Sequence, residues 1–116
     1  MNAGTWTDAT NYFYSFPSNR LELWAYLEGK RMSDPVLRQF YTEKHGPVIE
    51  ERRMRMDNSP FGMLLEQFQN LSFMAHPYHH SAIGWMSDLE NATRADCRNF
   101  FEKFYVGKNM TVAVVV

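Results

Sequence analysis

Cysteine is nearly absent: the 116 residues hold one, Cys97. No intramolecular disulfide can form, so nothing staples the fold, and cysteine usage leaves the redox compartment open. Glycine and proline are sparse too, at six and five, which excludes a collagen-like or low-complexity chain. Neither sign of charge prevails: 12 Lys and Arg face 13 Asp and Glu, for a net charge of −1. That balance lacks the electrostatic footprint of a nucleic-acid binder or of a protein held on an anionic membrane, so neither partner is expected. Long apolar runs are missing, and the longest, residues 112–116, falls far short of the ~20 residues a bilayer span needs. Residues 1–8 show neither a basic n-region nor an apolar h-region, so no secretory signal is expected within them and localisation stays unknown.

What is present is ordinary for a globular chain, with 45% hydrophobic and 22% charged residues. Aromatics are plentiful: nine Phe, six Tyr and three Trp. Taken as one compact domain, this length predicts a radius of gyration of roughly 13 Å.

Along the chain, residues 2–6 and 10–16 are rich in Thr, Tyr, Phe and Trp around Thr7-Asp8-Ala9, the pattern of an edge hairpin spanning 2–16. Phe16-Pro17 stops the second strand. Helices are expected over about 18–105. The first is capped by Ser18 or Asn19, and Ser33-Asp34-Pro35 breaks it. Residues 36–56 follow as helix, with a kink or fresh start expected at Gly46-Pro47, because proline loses a hydrogen bond and clashes with the carbonyl of Glu43. Asn58-Ser59-Pro60 opens another helix, where Phe61, Leu64, Leu65 and Phe68 at i, i+3, i+4, i+7 predict a buried stripe. Residues 75–85 read as a loop, and Thr93 to Asp96 as a helix start. Cys97, Phe100, Phe101, Phe104 and Tyr105 form a second core-facing stripe, with Gly107 as a C-cap candidate. Residues 110–116 read as a final β-branched strand. The expected fold is thus α/β, an α+β sandwich with an antiparallel sheet and helices packed on one face. Strands at both ends leave open edges, so residues 1–116 are expected to be a single partial domain, an incomplete portion of something larger.

Two groups of residues could carry chemistry. Glu43 and Glu50 lie seven apart, and 700° of helical rotation would put both carboxylates on one face, roughly 10 Å apart in rise. On spacing alone a solvated face explains the pair better, and Glu51–Arg55 is an ordinary i, i+4 pair. His76, His79 and His80 crowd five residues but have no Cys or carboxylate in the loop, which fits unrelated loop histidines better than a metal cluster. Arg52, Arg53 and Arg55 are balanced by neighbouring Glu and are expected to be exposed. Cys97 reads as a buried thiol rather than a nucleophile. No G-x-S-x-G and no glycine-rich phosphate loop occurs.

Asn2-Ala3-Gly4-Thr5, with Asp8, Thr10 and Tyr12 following, resembles the N-A-x-T-x-x-D-x-T-x-Y strand pair of the pitrilysin/insulinase family of zinc metallopeptidases. The resemblance continues through Leu21-Glu22-Leu23, Glu43 with Val48-Ile49-Glu50-Glu51, His76-Pro77-Tyr78, Ile83-Gly84-Trp85 and Phe101 to Tyr105, and so covers essentially the whole chain. It implies the C-terminal part of a catalytic domain of the inverzincin type. In that family an H-x-x-E-H helix supplies two His ligands and a Glu general base. Glu50 matches the third zinc ligand, and Glu43 matches a carboxylate that supports the site from outside. The strand matching Asn2, Ala3, Gly4 and Thr5 is the edge on which a peptide or protein substrate binds by strand addition.

No H-x-x-E-H occurs among these residues. The resemblance therefore implies zinc as the cofactor of a complete protein, not tight zinc binding by this chain alone. Its partners would be a missing upstream half-domain and further homologous domains. The expected function is a fragment of a zinc-dependent metalloendopeptidase, inactive alone. The alternative is a non-catalytic structural or peptide-binding homologue, a class the family also contains.

Overall fold

The computed structural model describes residues 1–115. Thr and aromatic residues suit a pleated, half-buried surface, and they form a two-stranded antiparallel sheet of β1 (Asn2–Thr5) and β2 (Thr10–Phe13). The register pairs Asn2 with Phe13, Ala3 with Tyr12, Gly4 with Asn11 and Thr5 with Thr10. Trp6 N–H donates to Ala9 O at 2.8 Å and closes the hairpin. β2 ends at Phe13, short of the expected Phe16.

α1 (Leu21–Ser33) follows a 3-10 turn over Ser18–Arg20, and no side chain caps it. It packs on the residues just after β2 through Trp24, which meets the Tyr14 ring edge-on and stacks on Phe16, both at 6.2 Å between centroids. Arg31 lies 3.9 Å over the Tyr12 ring and pairs with Glu28. Glu28 also accepts from Tyr14 Oη at 2.5 Å. The far end of the chain reaches the same place, since the hydroxyls of Tyr12 and Tyr105 lie 2.9 Å apart. Burial holds the Tyr105 hydroxyl protonated, its pKa pushed up to about 12.

Residues 40–57 form one continuous helical rod in which α and π turns alternate. α2 (Phe40–Glu43) leads into a π turn over Lys44–Val48, then α3 (Ile49–Arg52), then a second π turn over Arg53–Asp57. No fresh start occurs at Gly46-Pro47: Glu43, Val48 and Ile49 all keep right-handed helical angles, and the helix passes through as a π turn. The wider π turn makes room for the Pro47 ring, which would clash in an α turn.

α4 (Pro60–Ser72) starts as the sequence suggests, with Ser59 Oγ accepting from Gly62 N–H at 3.1 Å and Pro60 in the first turn. Gly62 sits at the fold-back between rod and α4, where a Cβ would lie 2.0 Å from the Arg55 carbonyl oxygen. Only glycine fits there. After a loop with a 3-10 turn over Pro77–His79 come α5 (Met86–Asn91) and α6 (Arg94–Phe104). Thr93 and Asp96 form a capping box on α6. Its C-terminus is finished by Asn109 Nδ2, which donates to Phe104 O at 3.0 Å, not by Gly107, which opens a 3-10 turn instead.

The α/β class therefore holds, with helices joined to an antiparallel sheet, but three expectations fail. Residues 110–115 form no strand, because β1 and β2 pair only with each other and offer no ladder there. Val116 lies outside the described residues. The stripe on α4 is exposed rather than buried, with Phe61 at 67% and Leu64 at 64%. On the second stripe Cys97 and Phe101 are half-buried while Phe100 and Phe104 are exposed. Among the described residues Ile49 is the only buried large hydrophobic side chain, and even it is 8% exposed. The radius of gyration is accordingly 16.8 Å, above the compact value, since the described elements supply no second layer to cover these faces.

Candidate functional site

The rod has a fixed inner face. Lys44 is buried, and its Nζ donates to Glu90 O and Ala92 O, each at 2.9 Å. A cation thus satisfies the orphan carbonyls at the C-terminus of α5. Arg52, only 4% exposed, is buried further along the same face. Its guanidinium donates to both carboxylate oxygens of Glu66, at 2.7 Å to Oε2, and to Gly84 O at 2.8 Å. Asp57 Oδ1 lies 3.3 Å from Arg52 Nε. The bond to Glu66 raises the Arg52 pKa and keeps its charge fixed.

These anchors set the rotation of the rod about its axis and leave Glu43 and Glu50 exposed. Glu50 is 58% exposed, and Arg53 Nη1 lies 3.5 Å from its Oε2 across one helical turn. The supporting pair Glu51–Arg55 forms at 3.1 Å. A π turn uses more residues per turn than an α turn, so seven residues through Lys44–Val48 sweep less than 700°. Glu43 and Glu50 still lie on one uninterrupted helical body.

Asn2, Ala3, Gly4 and Thr5 form the outer strand of the hairpin. Hydrogen-bonded and non-bonded pairs alternate along an antiparallel ladder. Counting from the bonded Trp6–Ala9 pair, Asn2 and Gly4 bond to β2, and the backbone groups of Ala3 and Thr5 point to the other edge. No described strand occupies that edge. Asn2 Oδ1 accepts from the Ala3 N–H there at 2.9 Å. The hairpin tip is tied to the histidine loop by Tyr78 Oη, which donates to Asp8 Oδ2 at 2.6 Å. That bond to a carboxylate raises the Tyr78 pKa.

The histidines do not converge. His76 Nδ1 accepts from Tyr78 N–H at 3.2 Å, and His80 Nδ1 lies 2.9 Å from Ser81 O. Among the described residues no three His, Cys, Asp or Glu side chains gather as a metal-binding group. A zinc site needs three or four such donors. These residues by themselves do not fit the ion; what they offer is one exposed carboxylate, Glu50, with a second, Glu43, on the same rod.

No protein-family model matches the chain. Against curated proteins, it is 40% identical over 116 residues to the zinc protease PqqE of Helicobacter pylori (strain ATCC 700392 / 26695). That alignment takes in 98% of this chain and 26% of the relative. This chain is thus similar in sequence to a protein named a zinc protease. It spans about a quarter of the length of the curated relative it matches.

Sequence reasoning missed the buried anchors. Arg52, expected to be exposed with Arg53 and Arg55, is the most buried charged residue described. A signal for it exists: Glu66 is the one charge in the 13 residues of α4, and a lone charge in an apolar helix calls for a buried partner. Lys44 carries no comparable signal, since its acceptors are main-chain carbonyls 46 and 48 residues away.

Proposed function

We propose that this chain is a segment of a zinc-dependent metalloendopeptidase, that Glu50 is one of the zinc ligands, and that Glu43 supports the site from the outer shell. The observation that carries this reading is the orientation of the rod. Arg52 and Lys44 hold its inner face against α4 and α5, while both glutamates stay exposed on a continuous helix. The remaining ligands, two histidines and a general base in an H-x-x-E-H motif, would come from polypeptide outside these residues. When bound, zinc would lower the pKa of a water and polarise the scissile carbonyl.

The chain's own contribution to the substrate is β1. Its outer edge carries the backbone groups of Ala3 and Thr5, an alternating pattern suited to adding an extended peptide as a third strand once that peptide replaces Asn2 Oδ1 at the Ala3 N–H. A two-stranded hairpin is only marginally stable alone, so an added strand would also stabilise the hairpin. The test is peptide hydrolysis by the full-length protein, with and without a chelator. Glu50→Gln should abolish hydrolysis and leave peptide binding intact. Binding without any chelator-sensitive hydrolysis in the unmodified protein would favour the non-catalytic peptide-binding homologue.

A further inference from the structure

The strand edge and the glutamates lie on different bodies, the hairpin and the rod. Among the described residues β1 makes no hydrogen bond outside the hairpin: Asn2 Oδ1 serves the Ala3 N–H, and Thr5 Oγ1 meets Thr10 Oγ1 at 3.3 Å. Its position is therefore set through β2 and the turn. β2 is held at its far end, where Tyr12 lies under Arg31 and 2.9 Å from the Tyr105 hydroxyl, and where Tyr14 just beyond bonds Glu28. Those contacts run to α1 and to the end of α6.

The tip is held separately, by Tyr78 Oη donating to Asp8 Oδ2 at 2.6 Å across 70 residues of sequence. A hydroxyl bonded to a carboxylate at this length is charge-assisted and directional. Tyr78 is itself fastened to the end of α4. Its ring meets Phe73 edge-on at 5.8 Å and His76 at 4.4 Å, and its N–H donates to His76 Nδ1. Phe73 closes α4 by donating its N–H to Gln69 O. α4 grips the rod through Glu66 and Arg52, and Arg52 lies two residues beyond Glu50. Contacts thus run unbroken from the rod to the hairpin tip, and the Tyr78–Asp8 bond is where they cross to the hairpin.

We propose that Tyr78 is a positioning residue: by bonding Asp8 it fixes the hairpin tip to α4, and so sets where a peptide on β1 lies relative to Glu50. This rests on the reading of β1 as the peptide edge and of Glu50 as a zinc ligand. Held at its far end alone, the hairpin is free to tilt. A four-residue strand is roughly 13 Å long, so a tilt of about 5° moves the tip by roughly 1 Å. A misplacement of that size costs up to about 100-fold in rate. The bond is exposed, so removing it alters placement while leaving the buried anchors of the rod intact.

The test uses the zinc-loaded full-length protein and one unstructured fluorogenic peptide. Tyr78→Phe keeps the ring and removes the hydroxyl. It should lower kcat about 10–100-fold, with KM within a few-fold and zinc stoichiometry unchanged. Asp8→Ala should match it, the double variant should be no worse than either single one, and Asp8→Asn, which keeps an acceptor oxygen, should retain most of kcat. An unchanged kcat in Tyr78→Phe overturns the proposal, and so does a loss of kcat that only follows a loss of zinc. A second readout needs neither zinc nor hydrolysis. Spin labels at Asn11→Cys on the hairpin and Arg55→Cys on the rod, both exposed positions, report the distance between the two bodies in an otherwise cysteine-free full-length protein. That distance should shift or broaden in Tyr78→Phe, and an unmoved distribution overturns the proposal whatever the kinetics. Absence of zinc-dependent hydrolysis in the unmodified protein would instead sink the peptidase reading, and the label distance then decides the role of Tyr78 by itself.

Discussion

Arg52 and Glu66, 14 residues apart, meet as a bidentate ion pair in which both side chains are almost fully buried. The pair joins the rod to α4, and through Gly84 O it also holds the loop before α5.

Removing one partner leaves the other as an uncompensated buried charge, which costs about 3–5 kcal/mol. Arg52→Met in the full-length protein should therefore lower the urea midpoint strongly. Glu66→Leu added to it should recover most of the loss, because an apolar pair of similar volume is often neutral. Additive losses in the double variant would show that the two charges do not interact.

Gly62 and Gly29 should respond in opposite directions. Gly62→Ala would force a Cβ to 2.0 Å from the Arg55 carbonyl and should destabilise by at least ~1–3 kcal/mol as the helices separate. Gly29, inside α1, has nothing within 4 Å of its would-be Cβ. Gly29→Ala should stabilise by about 0.5–1 kcal/mol through helix propensity. Thermal denaturation of both variants checks the contrast.

Glu28 gives a pH dependence of known sign. Its hydrogen bond with Arg31 is the main cause that holds its pKa below the ordinary glutamate value, and the Tyr14 hydroxyl adds to it. A depressed folded-state pKa contributes stability that is present above the unfolded value of about 4.3 and is lost as pH falls through the folded one. Acid titration of stability should show this loss below about pH 4.3, and Glu28→Gln should remove that component. An unchanged acid limb in Glu28→Gln would contradict the role given to the pair.

Local signals carried much of the fold. Ser59-Pro60 and the Thr93–Asp96 box start α4 and α6 where they should, because capping is decided within four residues. What was not legible depends on distant partners. The Val-rich tail at 110–115 has the composition of a strand, but strand formation requires a neighbour to complete the ladder. The stripe on α4 has the period of a buried face, yet burial requires a second layer. Period alone cannot say which polypeptide supplies it. Of the candidate site, the Glu43–Glu50 spacing and a solvated face for it were readable, and what fixes that face outward was not, since it follows from Lys44 and Arg52 gripping elements far along the chain.

The central claim is that Glu50 reaches a zinc ion from the exposed side of the rod. Zinc affinity of the full-length protein, measured by competition with a chelator, tests it most directly when Glu50→Gln and Glu43→Gln are compared. Loss of stoichiometric zinc is expected for Glu50→Gln, and retention with affinity weakened about 10–100-fold for Glu43→Gln, as for an outer-shell group. Unaltered zinc binding by Glu50→Gln would contradict the account.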